Sequence, residues 1–548
     1  MCVEKGMCPV WQHPTRGCRQ ARTEGHHMTA DQSSGDETDS TDDELIPDGG
    51  EASMVEYGIE DKPPLIQSIL LGTQHWLTMI GSTIAIPLVL SGALGFNGAQ
   101  TAQLVGTFFV VSGVATLAQT TIGNKYPIVQ GGTFSMLGPA LAIIAVLGGA
   151  DGGASSTVMM RELQGAIIVA GAVEVLIGYL GIFGKLKRYI GPAVIAVVIA
   201  LIGLALIDVP QITSASQNWY LVALSLGLIV LFSQYIDSYS RVFKLFPVLL
   251  GLGAAYLVAA ALSVAGIADI VSLGGVADAP PIRAITPFQW GMPLFSGSFA
   301  AGMIAGMLAS AIESFGDYHS VARMAGEGAP NKKRINHGLG MEGLGNVFAG
   351  IMGTGNGSTS YTENVGAIGI TGVASRYVVQ IGALVMILVG YVGYFGAFVT
   401  TIPNAIVGGL FLAMFAQIVG VGLSQLQHVD LNQNRNVFVV GFGLFAGMSI
   451  PIYASNVESF EAGFAAVPVL GQVLGIPEVA TTIGIILGTE IAIGGIAAFI
   501  LDNTIPGTKE ERGLQAWEDI TEDEDAFEPY HERLMPGGEP ANEDIADD

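Results

Sequence analysis

The sequence predicts an all-α polytopic membrane protein with fourteen transmembrane segments in two inverted repeats of seven. Three observations point to this fold: apolar runs recur along the 548-residue chain, two segments are short and broken by glycine, and basic residues fall in alternate loops. Half of the residues are hydrophobic, 13% are charged and 75 are glycine. Because glycine is more frequent in transmembrane helices than in soluble ones, this composition favours a membrane protein.

The apolar runs between residues 66 and 501 have roughly the length that crosses a hydrocarbon core of about 30 Å. The predicted spans are 66–92, 101–122, 165–184, 190–207, 219–236, 246–266, 299–320, 338–352, 375–398, 403–424, 436–454 and 480–501. Two shorter segments, at 128–148 and 360–372, bring the number of crossings to fourteen. The stretch 462–476 carries Pro468 and is interpreted as a re-entrant piece of the last span.

Loop charges support this number of crossings and predict the orientation of the chain. Arg161 and Arg283 lie in loops after odd-numbered spans. The other basic residues between 66 and 502 all follow even-numbered spans, namely Lys125, Lys185, Lys187, Arg188, Arg241, Lys244, Arg323, Lys332, Lys333, Arg334, Arg376 and Arg435. The positive-inside rule then predicts a multi-pass protein of the cytoplasmic membrane with both termini in the cytoplasm.

Both ends of the chain are acidic. Residues 1–65 and 503–548 are short of aromatic side chains and are predicted to be disordered, solvating tails. The character of the sequence changes at Met28, which we interpret as the true start, and no secretory signal precedes it. All three cysteines (Cys2, Cys8 and Cys18) lie outside the predicted spans, so they predict no disulfide framework or metal cluster. No basic surface suited to nucleic acid is present.

The two broken segments occupy corresponding places in the halves of the chain. The first runs from Gln130 to Pro139 and the second from Tyr361 to Thr371, and each is the third segment of its half. An odd number of spans in each half makes the halves inverted relative to one another. Matching glycine-interrupted segments in two such halves are the best sequence indication of a transporter's binding site.

Polar residues at mid-depth lie in the first, eighth and tenth segments: Gln74 and His75, Glu313 and Asp317, and Glu363. Ionisable residues at such depth indicate a functional site. Glu313 and Asp317 are four residues apart and share a helix face. Two neighbouring carboxylates in a low-dielectric site favour proton uptake, which predicts proton symport. Sodium binding by the same carboxylates is the rival interpretation, and a hydrogen-bonded structural acid is the third.

Further acids lie in other spans. Glu174, Glu342 and Glu490 lack glycine-broken surroundings, so we rank them as structural or interfacial. The basic run from Asn331 to Arg334 is interpreted as a determinant of topology or a lipid-headgroup contact.

Four motifs in order resemble the nucleobase–ascorbate transporter family. The family signature stands as Glu363-Asn364-Val365-Gly366 followed by Thr371. The first-span pair matches Gln74-His75, the third segment matches Gly131–Ser135, and the acidic motif of the eighth span matches Ala311–Ser320. The resemblance covers residues 66–502 and implies a core domain from spans 1–4 and 8–11, a gate domain from spans 5–7 and 12–14, short strands in segments 3 and 10, and commonly a homodimer. The implied boundaries are 66–184 and 298–398 for the core, and 185–297 and 399–502 for the gate.

The resemblance also implies roles for residues in the broken segments. Glu313 and Glu363 would accept N–H bonds from the edge of a planar base, because charge-assisted hydrogen bonds are the stronger kind. The expected substrate-binding set is completed by Phe134 as a stacking ring, and by Ser135, Thr362, Asn364 and Val365 near the half-helix N-termini. Glu313, Asp317 and His75 are the candidates for proton coupling, although His75 is expected mainly to orient its neighbours. Gln74, Gly366 and Thr371 are expected to support the structure, with Gly366 and Gly369 permitting close helix packing.

The expected function is therefore import of a nucleobase by alternating access. Glu363 resembles the uracil-type bacterial members, whereas the flanking stretches resemble the eukaryotic branch of purine and ascorbate carriers. Uracil or xanthine with proton symport is the leading expectation. A purine such as hypoxanthine or urate, or ascorbate, with sodium coupling is the alternative, as is a related anion transporter; Glu363 argues against ascorbate. No nucleophile, zinc, phosphate-loop or dinucleotide motif is present, so neither an enzyme nor a cofactor is expected.

Overall fold

The computed structural model describes residues 55–148, 153–182, 189–207, 209–213, 218–457, 460–514 and 527. The cysteines, the proposed start at Met28 and most of both acidic tails lie outside these residues, and so do the expectations about them.

The first half contains nine helices and one strand in the part of the chain that the structure describes, besides short helical turns. They are α1 (Leu65–Leu77), α2 (Ile80–Leu94), α3 (Gly98–Thr121), β1 (Gln130–Gly132), α4 (Leu137–Leu147), α5 (Ser156–Tyr179), α6 (Pro192–Leu204), α7 (Trp219–Val230), α8 (Arg241–Leu245) and α9 (Pro247–Val264). A π-helical turn, Leu231–Tyr235, continues α7.

The second half begins after a loop. Its elements are α10 (Gly297–Met324), α11 (Lys332–Met352), β2 (Ser358–Ser360), α12 (Thr362–Thr371), α13 (Arg376–Tyr391), α14 (Gly393–Val399), α15 (Asn404–Ser424), α16 (Asn434–Ser455), α17 (Phe460–Ala465), α18 (Pro477–Leu487) and α19 (Glu490–Thr504).

These elements reproduce the fourteen predicted segments. Helices α3, α5, α9, α10, α15 and α16 are long and apolar enough to cross a membrane, and the bent pairs α1–α2 and α18–α19 pass the same test together. Four further segments correspond to shorter apolar helices, namely α4, α6, α7 with its π-helical turn, and α13. Helices α11 and α12 are the ninth and tenth segments. The predicted all-α polytopic fold with two short strands is confirmed.

Two spans predicted as continuous are broken. The first bends by 46° between α1 and α2, and the last bends by 84° between α18 and α19. Residues on both sides of each break are mostly apolar or small, so hydropathy gives no indication of the change in direction. The stretch 462–476 forms the end of α17 and a short helical turn, Gly471–Leu474, and leads into α18.

The two broken segments meet through their strands. Strand β1 pairs antiparallel with β2, with Gln130 opposite Ser360 and Gly132 opposite Ser358. Each strand leads into a short helix, α4 or α12. The third and tenth segments therefore lie side by side and run in opposite directions, as inverted repeats require.

Helix packing groups the spans in two sets. Helix α5 packs on α11, and α13 packs on α1 and α3; α15 packs on α6 and α7, and α16 on α19. Each of these pairs lies within one predicted domain. The pattern supports the division into core and gate, which stays a prediction.

Candidate functional site

Glycine lets the two strands approach their neighbours closely. A Cβ atom added to Gly131 would lie 2.3 Å from Cε2 of Tyr361, and one added to Gly132 would lie 2.6 Å from Cε1 of Phe108. The Tyr361 hydroxyl donates a hydrogen bond to the Gly132 carbonyl oxygen at 2.8 Å. The aromatic rings thus fill the space that side chains at positions 131 and 132 would need.

Two asparagines of the second half bind backbone N–H groups of the first. The Asn356 Oδ1 atom accepts a hydrogen bond from the Thr133 N–H at 2.8 Å, and Asn364 Oδ1 accepts one from the Val129 N–H at 2.7 Å. These contacts lie on either side of β1 and satisfy donors that a buried, non-helical backbone would otherwise leave unpaired. Asn364, expected near the substrate, therefore has its side chain in a structural contact.

Glu363 lies in the first turn of α12, where the partial positive charge of a helix N-terminus favours a carboxylate. The Ser82 hydroxyl donates to Glu363 Oε1 at 2.9 Å. Ser82 lies in α2, just after the bend in the first span. The sequence analysis did not select Ser82, although Ser82 and Thr83 form a polar pair within an otherwise apolar run.

Asp317 is buried and its two carboxylate oxygens are both bound. Ser360 Oγ donates to Oδ2 and Thr362 Oγ1 donates to Oδ1, each at 2.8 Å. Asp317 therefore fastens α10 to β2 and to the start of α12. Thr362, expected to touch substrate, directs its hydroxyl to Asp317.

Glu313 differs from Asp317 although it lies one turn away on the same helix. Its Oε2 atom is buried and has no hydrogen-bond partner among the described residues. The charges of Asp317, Glu363 and Glu342 all act on the Glu313 carboxylate. The structure thus brings the predicted acids of α10 and α12 together, and Glu313 keeps an acceptor atom that no described residue satisfies.

A second acidic cluster lies beside these residues. Glu342 is buried and accepts hydrogen bonds from hydroxyls of Ser310, Ser314, Tyr318 and Thr359. The Ser360 hydroxyl that binds Asp317 also lies 2.9 Å from Ser314 Oγ, which joins the two clusters.

Glu174 is also buried, and it accepts a hydrogen bond from the Asn346 side chain. Side-chain donors bind both oxygens of Glu342, whereas the Glu174 Oε1 atom is buried without a hydrogen-bond partner among the described residues. The ranking of these two residues as structural acids stays a prediction. Glu342 nevertheless lies closer to the predicted site than the sequence indicated, because its hydroxyl partners come partly from the glycine-rich segment around β2.

The first half contributes aromatic and hydroxyl groups. Phe134 lies between β1 and α4, is buried, and packs edge-on against Phe415 of α15 with ring centroids 5.6 Å apart. Phe415 in turn stacks on Phe411 at 5.3 Å. The Ser135 hydroxyl lies 2.6 Å from that of Thr133. Sequence reasoning missed Phe415 because its span is apolar throughout and nothing marks one aromatic residue in it.

His75 contacts α12. The Asn364 Nδ2 group lies 3.0 Å from His75 Nδ1, and because the Asn364 oxygen already accepts from Val129, the amide is the donor. The ring hydrogen of a neutral His75 is then on Nε2, which is buried without a hydrogen-bond partner in the described part of the chain. This geometry agrees with the expected orienting role of His75. Gln74 is half-buried beside it.

The remaining predicted residues lie along α12. Val365 is buried and packs with Phe315 and other apolar residues, so its side chain belongs to the core. Thr371 is buried at the end of the helix and accepts a hydrogen bond from the Val373 N–H. The prediction that Gly366 permits close helix packing is wrong, because a Cβ atom added there would meet no atom within 4 Å. At Gly369 the added Cβ would meet only the tip of the flexible Met324 side chain.

No group of three or more His, Cys, Asp or Glu side chains among the described residues could hold a metal ion. The site contains carboxylate and hydroxyl oxygens, a buried aromatic group and the N-terminus of α12. This set can accept hydrogen bonds from a small polar molecule and can take up a proton.

Sequence comparison identifies the family of the chain. The family model Xan_ur_permease, described as a permease family, matches residues 66–455. Solute carrier family 23 member 1 of Rattus norvegicus is 39% identical over 508 residues, covering 84% of this chain and 82% of that protein. The chain belongs to the nucleobase–ascorbate transporter family.

Other members and structures are also similar. Nucleobase-ascorbate transporter 12 of Arabidopsis thaliana is 32% identical and covers 88% of this chain and 74% of the plant protein. The solved transmembrane domain of the cyanobacterium bicarbonate transporter BicA is 17% identical, with a TM-score of 0.49, over 81% of this chain and 100% of that domain.

Family membership establishes the general class of the protein. It is a multi-pass membrane transporter of a small molecule rather than an enzyme, because its relatives are named as a solute carrier and a transporter and the chain has several helices able to cross a membrane. The family's signature coincides with the first turns of α12, where Glu363 and Asn364 lie.

Proposed function

We propose that this transporter imports a nucleobase, uracil or xanthine first, across the cytoplasmic membrane by proton symport. The observation that carries the proposal is the placement of Glu313 and Glu363 on two elements of one buried site, where no donor among the described residues binds the Glu313 Oε2 atom. Uracil and xanthine both carry ring N–H groups and carbonyl oxygens on the edges of a plane. A carboxylate accepts such N–H bonds with the strength of a charge-assisted interaction.

The proton is proposed to bind within the group formed by Glu313 and its acidic neighbours. Asp317 and Glu363 place further negative charge near Glu313, and the site is largely removed from water. Protonation lowers the cost of keeping several carboxylates together in such a place. A proton that enters with the substrate and leaves on the other side would couple the two movements.

Alternating access is proposed to follow from movement of the core helices against the gate helices. Phe134 belongs to the predicted core and Phe415 to the predicted gate, and their rings touch at the site. Relative movement of the two sets would separate this pair and open one side of the site. Cytoplasmic termini and a homodimeric assembly belong to the same proposal.

Ascorbate is the competing substrate, because the name of the plant relative covers ascorbate as well as nucleobases. Ascorbate is an anion at neutral pH, and two carboxylates in one site repel an anion unless a cation accompanies it. This electrostatic cost favours a nucleobase as the substrate. Ascorbate would need a cation such as sodium to enter with it.

Uptake into proteoliposomes tests the proposal. Labelled uracil, xanthine and ascorbate are each offered under a proton gradient alone and under a sodium gradient alone. We expect uracil or xanthine to accumulate with the proton gradient, and Glu363→Gln to abolish most of that uptake. Glu490→Gln is the matched control, because Glu490 also lies in the first turn of a helix that follows a break, but in the last span.

The outcomes separate the alternatives. Ascorbate accumulation that requires sodium contradicts the nucleobase proposal and identifies the competing function. Nucleobase uptake driven by sodium supports the proposed substrate and contradicts the proposed proton coupling. Equal losses in Glu363→Gln and Glu490→Gln contradict a substrate role for Glu363.

A further inference from the structure

Phe527 lies within the acidic C-terminal tail, yet its side chain is only 8% exposed. Its backbone carbonyl oxygen accepts a hydrogen bond from the Asn331 side chain at 3.2 Å. Its ring lies 5.0 Å from the Arg334 guanidinium, 5.2 Å from the Lys125 ammonium and 6.1 Å from the His337 ring. A solvating tail would not bury an aromatic ring in this way.

The surface that receives Phe527 is built from the loop after α3 and the start of α11, both in the predicted core. We call it the Arg334 pocket, and it consists of Lys125, Tyr126, Asn331, Arg334 and His337. The Arg334 guanidinium lies 3.8 Å from the centre of the Tyr126 ring and donates through Nε to the Asn124 carbonyl oxygen. Lys125 has a φ of 57°, in the left-handed region that non-glycine residues rarely adopt. The pocket therefore places a cation against the face of Tyr126, beside the ring of Phe527.

The sequence around Phe527 is complementary in charge to this pocket. It reads Glu-Asp-Glu-Asp-Ala-Phe-Glu from Glu522 to Glu528, so that acids flank the one aromatic residue on both sides. Cation–π contact holds the ring, and Lys125, Arg334 and the neighbouring Lys332 and Lys333 supply positive charge for acidic flanks. The ligand class that fits is an acidic peptide with an aromatic residue.

The chain just before this tail is fastened to the other set of helices. Asp502, near the end of α19, is buried and forms ion pairs with Arg435 at the start of α16 and with Arg512. The Glu511 carbonyl oxygen accepts a hydrogen bond from the Asn436 side chain, and Leu514 is buried. One attachment of the tail thus lies on predicted gate helices and the other on the predicted core.

A separate contact between the two sets accompanies the docked Phe527. Arg241 of α8 donates through Nη2 to the Thr371 carbonyl oxygen at the end of α12, at 2.8 Å. Arg241, Lys125 and Arg334 all belong to the loops predicted to lie in the cytoplasm. The arrangement in which Phe527 is docked is therefore one in which the gate and core helices touch on this side.

We propose that the Arg334 pocket is a second binding site, specific for the acidic, aromatic C-terminal segment of this chain, and that the docked Phe527 holds the Arg241–Thr371 side closed. Residues 515–526 join the two attachments, and a chain of that length reaches at most about 40 Å when extended. The tail then acts as a tether between the two sets of helices. Its release favours the arrangement in which they part.

Cysteine labelling measures this effect without any transport substrate. Cys2, Cys8 and Cys18 are replaced by Ser, and Thr371, which is 5% exposed, is replaced by Cys. We expect Phe527→Ala to raise the rate of labelling by a water-soluble maleimide about threefold to tenfold, because the lost cation–π contact no longer favours the closed side. Phe527→Tyr is the matched control and should label at the rate of the parent protein.

Photo-crosslinking tests the site itself. Benzoylphenylalanine is placed at position 527 of the full-length protein, and crosslinked peptides are mapped by mass spectrometry. Crosslinks to residues 124–126 or 331–337 of the same chain support the pocket. Crosslinks elsewhere, or to a second copy of the chain, overturn it.

Labelling rates that are equal for Phe527→Ala and Phe527→Tyr overturn the tether. Neither measurement depends on the identity of the transported molecule, so failure here leaves the proposed nucleobase function intact, and failure of that function leaves this inference intact.

Discussion

The third and tenth segments share one backbone plan, and they differ in chemistry. Each has a three-residue strand followed by a short helix, and the two strands pair with one another. Helix α4 carries no ionisable side chain, whereas α12 carries Glu363 in its first turn. The comparison teaches that the symmetric fold supplies the geometry of the site, while the carboxylates come from the second half alone.

The end of α12 is also bound by other parts of the chain. The Gly372 carbonyl oxygen, just after α12, accepts hydrogen bonds from the backbone N–H groups of Glu56 and Tyr57, and Arg241 binds Thr371. The N-terminal segment thereby pairs with the chain that follows the tenth segment. The helix that carries the predicted substrate carboxylate is held at its first turn and at its end.

The largest expected difference between the two segments is in transport. Glu363→Gln should lower nucleobase uptake about 10- to 100-fold, because a hydrogen bond to a charged group contributes about 1.5–3 kcal/mol. Thr133 occupies the corresponding position of the third segment, and Thr133→Val should lower uptake less than about tenfold, because it removes one neutral hydrogen bond to Ser135. Initial uptake rates of the two variants check this, and equal losses would contradict the asymmetry.

The strand pairing itself should depend on glycine. Gly131→Ala places a Cβ against the Tyr361 ring and should lower the free energy of unfolding by about 1–3 kcal/mol. Gly138→Ala in α4 is the control, since its Cβ meets no atom within 4 Å. Thermal unfolding of both variants in detergent measures the difference. If the two midpoints agree, the strands do not need the close approach.

The asparagine contacts should stabilise both segments, and Asn364 should contribute somewhat more because its side chain also donates to His75. Asn364→Ala leaves the buried Val129 N–H unpaired, and Asn356→Ala does the same to the Thr133 N–H. Each loss should cost about 1–2 kcal/mol of unfolding free energy, within the range for a buried unsatisfied donor. Thermal unfolding compares the pair, and a large effect of only one asparagine would show that one half of the repeat dominates stability.

The smallest effect is expected at the N-terminal contact beyond α12. The Arg376 guanidinium, hydrogen-bonded to Glu60, holds the pKa of the Glu60 carboxyl below its ordinary value of 4.5. A lowered pKa stabilises the folded state above that ordinary value, and the stabilisation is lost as the pH falls through the folded-state pKa. Because Glu60 is largely exposed, Glu60→Gln should cost less than about 1 kcal/mol at neutral pH.

Unfolding midpoints of the parent and Glu60→Gln at pH 7 and pH 4 check this. The small difference between the proteins should shrink at the lower pH, and a difference that grows would contradict the sign.

Much of the fold follows from the sequence because hydropathy and loop charge report directly on membrane crossing. The fourteen segments were predictable in this way, whereas the two short strands were expected only from the family resemblance. The bends after Leu77 and Leu487 were not predictable, because the residues around them are mostly apolar or small on both sides and a hydropathy pattern does not report a change in helix direction. Only tertiary contacts decide where such a span breaks.

The sequence indicated the charged residues that the structure brings together, but not the neutral residues that contact them. Glu313, Asp317 and Glu363 stand out because ionisable groups are rare at this depth. Ser82 and Phe415 belong to residue types that occur throughout membrane helices, so only the structure reveals their contacts. The sequence also could not show that Glu313 and Asp317 differ in their hydrogen bonding. That difference arises because the hydroxyls of Ser360 and Thr362 bind Asp317.

The pairing of β1 with β2 has a consequence for biosynthesis. The partners Gln130 and Ser360 are separated by 230 residues, so the strand of the third segment cannot pair until the tenth segment has been made. Until then, the ribosome has delivered a membrane segment whose backbone polar groups lack their final partners, which a bilayer penalises. The insertion machinery or bound water must therefore cover the polar backbone groups of that segment while the next six spans enter. Chains that stop short of Ser358 should be substrates for membrane quality control.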